Sequence, residues 1–387
     1  MKKKICIFIS NRANYSSIKC VLQEIKKNKK LELQLILGSS AILDRFGSVK
    51  NDIIKDGFKP NFLISILVEG STPSTMAKSA GLAMIELSSI FSKIKPDIAL
   101  TVGDRFENMA FALTAAYMNI VVAHTMGGET SGTIDESIRH AITKFSHLHF
   151  PATKDAAKRI IKMGEDPKKV FLVGCPRIDL VKQILKTPSK EVLKNLFQKD
   201  GVGEPFDINQ PFLLISQHPV TTEFGSGEKQ IIMTLNAISK INLPSIILWP
   251  NPDAGSDDIS RGIRKWREKG LAKNMYFFKN LSVEKYIHLM NKTSCLIGNS
   301  SSGIREGAFI GTPVLNIGTR QNTRLSGSNV VHANYDTNKI FIAIKKQILV
   351  KKYKKKNIYG DGTASKKIVS KILEQINYVN VQKKITY

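Results

Sequence analysis

Short apolar runs alternate with amphipathic segments along almost the whole chain. Residues 5–9, 98–102 and 212–216 are such runs, and each is followed by a polar loop and a helical pattern. Residues 170–173 are a further apolar run that predicts a strand. Apolar runs of this length, separated by helical segments, indicate buried parallel strands. We therefore predict an α/β fold in which strands and helices alternate along the chain.

The alternation is interrupted once, between about residues 186 and 210, where polar and charged residues, prolines and glycines predominate. A chain of 387 residues also exceeds the size that one hydrophobic core usually reaches. We predict two Rossmann-like domains, residues 1–186 and 187–387, that face one another across a cleft, with a nucleotide held by the second. The sequence leaves open whether the terminal helix packs back on the first domain.

The loops that follow the predicted strands carry most of the chemically active side chains. Asp104 follows the run 98–102, His218 follows the run 212–216, and Arg12 lies where the first loop meets a helix. Ligands of open α/β sheets bind at the carboxyl ends of the strands, so these side chains are candidates for a ligand site. Each also has a structural explanation, with Asp104 as a helix N-cap, Arg12 as a surface arginine and His218 as a structural histidine.

The densest polar stretch of the first half is the segment 124–140. It brings histidine, three carboxylates, an arginine and three glycines onto one loop and the first turn of the next helix. A surface loop would explain the glycines but not the position directly after a buried strand. We therefore expect functional residues in this segment.

A loop of small residues, Gly298 to Gly303, joins an apolar strand end to a helical pattern. Small residues let the backbone come close to a ligand, and the N–H groups at a helix start favour an anion. Glu306, one turn into the helix, could accept two hydrogen bonds from the hydroxyls of a ribose. The alternative is an ordinary turn in which a serine caps the helix.

The net charge of +26 changes this picture little, because the lysines lie along the whole chain and only residues 351–356 form a dense cluster. We expect neither nucleic acid nor a membrane as a partner, and the charge favours an anionic nucleotide substrate. The chain has no run of 18 apolar residues, and its short N-terminal run lacks a cleavage site, which predicts a cytoplasmic protein. Four scattered cysteines predict reduced core thiols rather than disulfides or a zinc site.

Six segments of the chain resemble, in order and spacing, the hydrolysing UDP-N-acetylglucosamine 2-epimerases of bacterial sialic-acid-type sugar biosynthesis. They are GDRFE (103–107), GGETSGTIDESIRHAITK (127–144), HPVTTE (218–223), WPNPDAGS (249–256), GNSSSGIREG (298–307) and NIGTRQNTR (316–324). The likeness extends from the first strand to about residue 345. It implies a GT-B-like two-domain fold, no metal or redox cofactor, and conversion of UDP-N-acetylglucosamine and water to UDP and N-acetylmannosamine.

The resemblance also implies roles for single residues. Asp104 and Asp135 are the candidate acid/base groups, and they would act by elimination of UDP followed by hydration of the resulting glycal. The candidates for binding the UDP-sugar are Arg12, His218, Asn299, Ser301, Ser302, Gly303, Glu306, Arg320 and Arg324. In this set Glu306 would hold the ribose, and the two last arginines are assigned from the NIGTRQNTR segment. Related enzymes are generally homo-oligomers. Whether the base of the nucleotide is uracil or guanine also depends on the resemblance alone.

The chain departs from the family pattern in two loops. Where HIEGGE is usual, residues 124–129 read HTMGGE, so Met126 replaces a glutamate commonly counted as catalytic and cannot transfer a proton. Residues 10–14 read SNRAN where GTRAD is usual. Glu129 and Glu136 are candidates for the missing role. We interpret the departures as signs of a modified substrate, such as UDP-2,4-diacetamido-2,4,6-trideoxyglucose on the route to legionaminic acid.

Two other functions stay open on the sequence alone. A glycosyltransferase is one, since GT-B folds commonly bind UDP-sugars and a fold does not fix the chemistry. The other is a catalytically silent protein that binds a nucleotide sugar, which the methionine at position 126 makes conceivable.

Overall fold

The computed structural model describes residues 1–47, 49–70, 72–198, 201–251 and 253–386; Pro252, in the predicted loop 249–256, lies outside these ranges. The chain divides into two compact units. The first consists of Met1–Thr130, Ile134–Leu180 and Tyr359–Tyr387, and the second of Ser131–Thr133 and Val181–Ile358. The sequence placed the boundary after residue 186, whereas this division lies inside a helix, where the helical pattern gives no sign of it.

Strands and helices alternate through both units. In chain order the elements are β1 (Lys3–Ile9), α1 (Arg12–Lys27), β2 (Leu31–Gly38), α2 (Val49–Lys55), β3 (Phe62–Ile64), α3 (Pro73–Ile94), β4 (Ile98–Val102), α4 (Phe106–Tyr117), β5 (Val121–Thr125), α5 (Ile134–Phe145), β6 (Leu148–Phe150), α6 (Lys154–Lys162), α7 (Pro176–Ile184), α8 (Ser189–Val192), β7 (Gly201–Val202), β8 (Leu213–Ser216), α9 (Gly227–Ser239), β9 (Ser245–Leu248), α10 (Ser256–Glu268), β10 (Met275–Phe278), α11 (Val283–Lys292), β11 (Cys295–Gly298), α12 (Ser301–Ile310), β12 (Val314–Ile317), β13 (Val330–Ala333), α13 (Thr337–Val350) and α14 (Ala364–Gln375).

The first unit contains a six-stranded parallel sheet in the order β3-β2-β1-β4-β5-β6. The chain reverses its direction of travel across the sheet between β1 and β4, so the loops after these two strands lie side by side at one edge. The apolar residues 5–9 of β1 are buried, as expected for a strand covered on both faces. This edge is where a Rossmann-like sheet binds its ligand.

The second unit contains a seven-stranded sheet in the order β13-β12-β11-β8-β9-β10-β7. All neighbours are parallel except β7, which pairs antiparallel with β10. Here the reversal falls between β8 and β11, and the loops after these strands are 217–220 and 299–300. The prediction of two Rossmann-like α/β domains is confirmed.

One glycine is required where β11 ends. Gly298 has φ +131° and pairs with Ser216 of β8. A Cβ atom at this position would lie 2.2 Å from the carbonyl oxygen of Ser216, so any side chain would force the two strands apart. The glycine therefore allows the two loops at the reversal point to start from neighbouring backbones.

One predicted strand is wrong. Residues 170–173 were expected to form a strand, but only an isolated bridge joins Val170 to His149. The backbone N–H of Phe171 donates to the carbonyl of His149 (2.8 Å), and that of Val173 donates to the carbonyl of Pro151 (3.3 Å). The segment is extended and borders β6, yet Pro151 has no N–H to return a hydrogen bond, so a regular ladder does not form. In the ranges given above, no helix combines the length and apolarity that crossing a membrane requires.

The C-terminal helix α14 is fixed within the first unit by a carboxylate from α7. The side chain of Asp179 is buried and accepts hydrogen bonds from the backbone N–H groups of Ala364 (3.0 Å) and Ser365 (2.7 Å). These N–H groups belong to the first turn of α14, where no helical carbonyl is available to them. Asp179 thus caps a helix almost two hundred residues further along the chain.

We expect Asp179→Ala to lower the free energy of unfolding by about 1–3 kcal/mol, because it leaves two N–H groups of α14 without an acceptor. Urea unfolding at neutral pH measures this difference. Glu32→Ala, which removes an exposed carboxylate on β2, is the matched control and should change stability by less than about 0.5 kcal/mol. Equal stability of the two variants would contradict the capping role.

Candidate functional site

The first loop of the first unit joins β1 to α1. Arg12 is half-buried and is the first residue of α1, and Asn11 caps the helix by accepting a hydrogen bond from the N–H of Asn14 (2.9 Å). The carbonyl of Ser10 accepts from the N–H of Ala41 (2.9 Å), which fixes the loop against the residues after β2. Arg12 is therefore held at the reversal point of the sheet, beside the loop that follows β4.

A buried guanidinium connects the loops after β4 and β5. Arg139 of α5 is completely buried, and its side chain forms an ion pair with the carboxylate of Asp104. It also donates to the backbone carbonyl of Glu129 (2.7 Å). Asp104 is not the helix N-cap, since Arg105 holds that position. The capping explanation of Asp104 is therefore wrong, and its carboxylate instead binds a helix that begins 30 residues later.

Asp135 lies one helical turn before Arg139, on the same face of α5. It is half-buried, whereas Glu129 is only 4% exposed. Glu136 points toward His140 on the next turn, with 3.8 Å between the carboxylate and the imidazole. The three catalytic candidates of the sequence thus come from two loops and one helix start that Arg139 connects.

Glu107, the other carboxylate of the GDRFE segment, is held by two hydrogen bonds. Glu107 is 1% exposed, and it accepts hydrogen bonds from the hydroxyl of Ser39 (2.9 Å) and from Nε of Arg105 (3.1 Å). It links the start of α4 to the turn after β2. Its role is to hold the loop that carries Asp104.

The loop after β5 has a conformation that its sequence does not predict. Met126, the residue at the position of the usual glutamate, is buried with φ +62°, and its N–H donates to the carbonyl of Phe150 (3.1 Å). Gly128 also has a positive φ, and a Cβ there would lie 2.4 Å from the carbonyl oxygen of Ala156. The glycines therefore let this loop pack directly against α6.

His124 at the end of β5 is held as a neutral imidazole. Its Nε2 lies 2.7 Å from the carbonyl oxygen of Gly103, which can only accept, so Nε2 carries the proton. Burial lowers the pKa of His124 to about 3. The ring therefore supports the residue that precedes Asp104 and does not act as a cation near neutral pH.

In the second unit, His218 and Asn299 join the loops after β8 and β11. The Asn299 amide is fully buried; it accepts from the N–H of His218 (2.7 Å) and donates to its carbonyl (2.8 Å). The ring nitrogen Nδ1 of His218 accepts from the N–H of Asn251 (3.1 Å), so its Nε2 carries the proton. That N–H lies 3.3 Å from the hydroxyl of Ser216 and is the donor that this histidine can present at the edge of the sheet.

A chain of hydroxyl groups shapes the start of α12. The Ser300 side chain caps the helix, as the structural alternative for this loop proposed, and lies 2.8 Å from the hydroxyl of Ser302. The Ser302 hydroxyl in turn lies 2.6 Å from that of Tyr286 on α11. Ser301, at the first position of the helix, is half-buried. A Cβ at Gly303 would lie 2.8 Å from Cγ1 of Val314, so this glycine permits close packing of α12 on β12.

The remaining candidates of the second unit are Arg320, Glu306 and Arg324. Arg320 donates to the carbonyl of Asn299 (3.3 Å), and its other terminal nitrogen lies 3.9 Å from the carboxylate of Asp253. Glu306 in α12 is 3% exposed, and Arg324 is 7% exposed. Arg320 is therefore in direct contact with the loop after β11.

Sequence reasoning missed three residues that hold these loops. Arg139 was noted only as part of a polar segment, although its spacing of four from Asp135 places both on one helix face. Gln321 donates to the carbonyl of Asn299 (3.0 Å), and Tyr286 binds Ser302 across a separation of 16 residues. Nothing in the local pattern marks the last two.

The chain is similar to proteins of one known family. The family described as UDP-N-acetylglucosamine 2-epimerase matches residues 23–373. A UDP-N,N'-diacetylbacillosamine 2-epimerase (hydrolyzing) of Legionella pneumophila is 33% identical over 95% of this chain and 94% of that protein. A GDP/UDP-N,N'-diacetylbacillosamine 2-epimerase (hydrolyzing) of Campylobacter jejuni is 34% identical over 85% of this chain and 84% of that protein.

A solved structure is similar over nearly the whole chain. The crystal structure of UDP-GlcNAc 2-epimerase from Neisseria meningitidis bound to UDP-GlcNAc has a TM-score of 0.80 at 19% identity, covering 96% of this chain and 100% of that chain. At this identity the likeness concerns the fold. The GT-B-like fold class that the resemblance implied is confirmed.

The buried histidines predict a loss of stability in acid. Burial lowers the pKa of His124, His147 and His149 below the ordinary value of 6.5, while the unfolded chain binds protons near that value. The unfolded state therefore takes up more protons as the pH falls below 6.5, and the free energy of unfolding decreases. Each histidine contributes up to about 1.4 kcal/mol per pH unit between its two pKa values.

Urea unfolding at a series of pH values from 7 to 4 measures the slope of the unfolding free energy against pH. His124→Gln should reduce this slope by the contribution of one proton, up to about 1.4 kcal/mol per pH unit. The glutamine keeps a donor for the carbonyl of Gly103 but cannot titrate. An unchanged slope in this variant would show that His124 does not contribute.

Proposed function

Because this chain belongs to the UDP-N-acetylglucosamine 2-epimerase family, we propose that it is a hydrolysing nucleotide-sugar 2-epimerase. It would convert a UDP-sugar with an acetamido group at C2, together with water, to UDP and the free sugar inverted at C2. The observation that carries this proposal is the ion pair of Asp104 with Arg139, with Asp135 one helical turn away. In the proposed mechanism these two carboxyl groups exchange protons with one substrate.

The proposed reaction has two steps. In the first, a carboxylate removes the proton from C2, the C1–O bond breaks, and UDP leaves with the electron pair, giving a C1–C2 double bond. In the second, the hydroxyl of water adds to C1, and a proton returns to C2 on the opposite face. Asp104 and Asp135 are the proposed acid/base groups for these transfers. Glu129 is the candidate for the role that the methionine at 126 cannot fill.

The second unit is proposed to bind the nucleotide. The start of α12 with Ser301, Ser302 and Gly303 offers a helix N-terminus to the diphosphate, whose negative charge the helix dipole stabilises. His218 adds an Nε2–H donor, and Arg320 adds a cation beside the same loop. These groups would stabilise UDP as it departs, which lowers the barrier for elimination. The other proposed ligands are Arg12, Glu306 and Arg324, and Asn299 would act by holding His218 in place.

For the sugar we propose UDP-N,N'-diacetylbacillosamine, that is, UDP-2,4-diacetamido-2,4,6-trideoxyglucose, in preference to UDP-N-acetylglucosamine. Two relatives at 33% and 34% identity carry diacetylbacillosamine in their names. The methionine at position 126, where a glutamate is usual, is the departure from the family pattern that favours a modified sugar.

A substrate panel tests this proposal. The protein is incubated with UDP-N,N'-diacetylbacillosamine, GDP-N,N'-diacetylbacillosamine or UDP-N-acetylglucosamine, and nucleoside diphosphate release is followed with a coupled assay. We expect the highest kcat/KM for the first compound. A preference for UDP-N-acetylglucosamine would contradict the choice of sugar, and release only after a sugar acceptor is added would instead indicate a glycosyltransferase.

We expect Asp104→Asn and Asp135→Asn each to lower kcat by about a hundred- to ten-thousand-fold, because a positioned acid or base is lost without a change in side-chain size. Steady-state kinetics with the preferred substrate measures the loss, and circular dichroism checks that the fold is kept. Asp155→Asn, an exposed carboxylate in the first turn of α6, is the control and should leave kcat unchanged. Near-normal turnover in either test variant would remove that residue from the mechanism.

A further inference from the structure

The helix α13 uses only one of its faces to pack on the second unit. Ile340, Ile344 and Gln347 are buried, and the Gln347 amide donates to the backbone carbonyls of Val314 (2.6 Å) and Asn329 (3.2 Å). These hydrogen bonds and the apolar contacts fix how the helix is rotated about its axis. The opposite face is therefore held toward solvent.

That opposite face carries large aliphatic side chains. Ile342 is 52% exposed, Leu349 is 80% exposed, and Val350 is 41% exposed. Residues 342 and 349 are seven positions apart, which places them on one side of the helix, two turns from each other. Exposed apolar residues in such a row, rather than scattered singly, mark a surface for interaction.

The helix and the residues that follow it are strongly basic. Between Thr337 and Ile358 the chain contains eight lysines and no aspartate or glutamate. Lys345 and Lys346 are exposed and lie between the aliphatic residues 342 and 349. Just beyond the helix, burial and, to a lesser extent, the neighbouring charge of Lys355 lower the pKa of Lys352 to about 8, and its amine donates to the carbonyl of Asn291 (2.8 Å).

We propose that the α13 face, which comprises Ile342, Lys345, Lys346, Leu349, Val350 and Lys351, docks on the surface of an anionic phospholipid bilayer. The aliphatic side chains would enter the boundary between headgroups and acyl chains, while the lysines contact lipid phosphates. The helix would lie on the membrane and not cross it. The even spread of lysines in the sequence argued against a membrane partner, but the structure puts eight of them on or next to one helix with exposed aliphatic residues.

Nucleic acid fits this face less well than lipid. Proteins that bind single strands combine basic grooves with aromatic side chains on which bases stack. The exposed large apolar side chains of the α13 face are aliphatic: isoleucine, leucine and valine. Aliphatic side chains gain more from an acyl environment than from a base edge.

Vesicle co-sedimentation with the full chain tests the proposal. Vesicles of phosphatidylcholine alone are compared with vesicles that contain phosphatidylglycerol, at low and at high salt. We expect binding only to the anionic vesicles, weakened by salt. Lys345→Gln/Lys346→Gln should weaken binding about 25-fold, from about fivefold for each lysine near the surface. Ile342→Gln/Leu349→Gln should weaken it about tenfold or more.

Lys29→Gln/Lys30→Gln removes two exposed lysines of the first unit and is the matched control for charge. Its vesicle binding should equal that of the unchanged protein, and all variants should keep the rate of the nucleotide-sugar reaction. The proposal is overturned by equal binding to neutral vesicles, by no binding to anionic vesicles, or by an equal effect of the control pair. Retained binding after Ile342→Gln/Leu349→Gln, or tighter binding to a single-stranded oligonucleotide than to vesicles, would also overturn it.

Discussion

The arrangement of the first unit depends on the burial of one positive charge. The guanidinium of Arg139 is completely enclosed, and a buried charge is tolerated only when counter-charges and hydrogen-bond acceptors surround it. Asp104 supplies the counter-charge, and the carbonyl of Glu129 supplies an acceptor. The loop after β4, the loop after β5 and the start of α5 therefore stabilise one another, since loss of any one would leave the charge without compensation.

A buried amide does the corresponding work in the second unit. Both polar atoms of the Asn299 side chain are used by the backbone of His218, and its own carbonyl accepts from Gln321 and Arg320. These hydrogen bonds fix the loops at the reversal point of the sheet before any ligand binds. Such prior fixation is what allows donors to stabilise a leaving group without a cost of reorganisation during the reaction.

The sequence predicted the two-domain α/β class because continuous apolar runs and helical periodicity are local signals. The strand, loop and helix of the 295–306 segment were predictable for the same reason. The sequence did not predict contacts between residues that are far apart along the chain. Arg139 pairs with Asp104, 35 positions earlier, and Asp179 accepts hydrogen bonds from the start of α14. The segment 170–173 failed as a strand because its neighbour's Pro151 cannot donate, which no property of the segment itself reveals.

The central claim is that a carboxyl group of the first unit removes the proton from C2 of a nucleotide sugar. The most direct measurement is NMR of the sugar formed from UDP-N,N'-diacetylbacillosamine in deuterated water. Elimination followed by hydration predicts one deuterium at C2 in every product molecule and inverted configuration at that carbon. A free sugar that keeps hydrogen at C2 would show simple hydrolysis of the glycosidic bond and would contradict the claim.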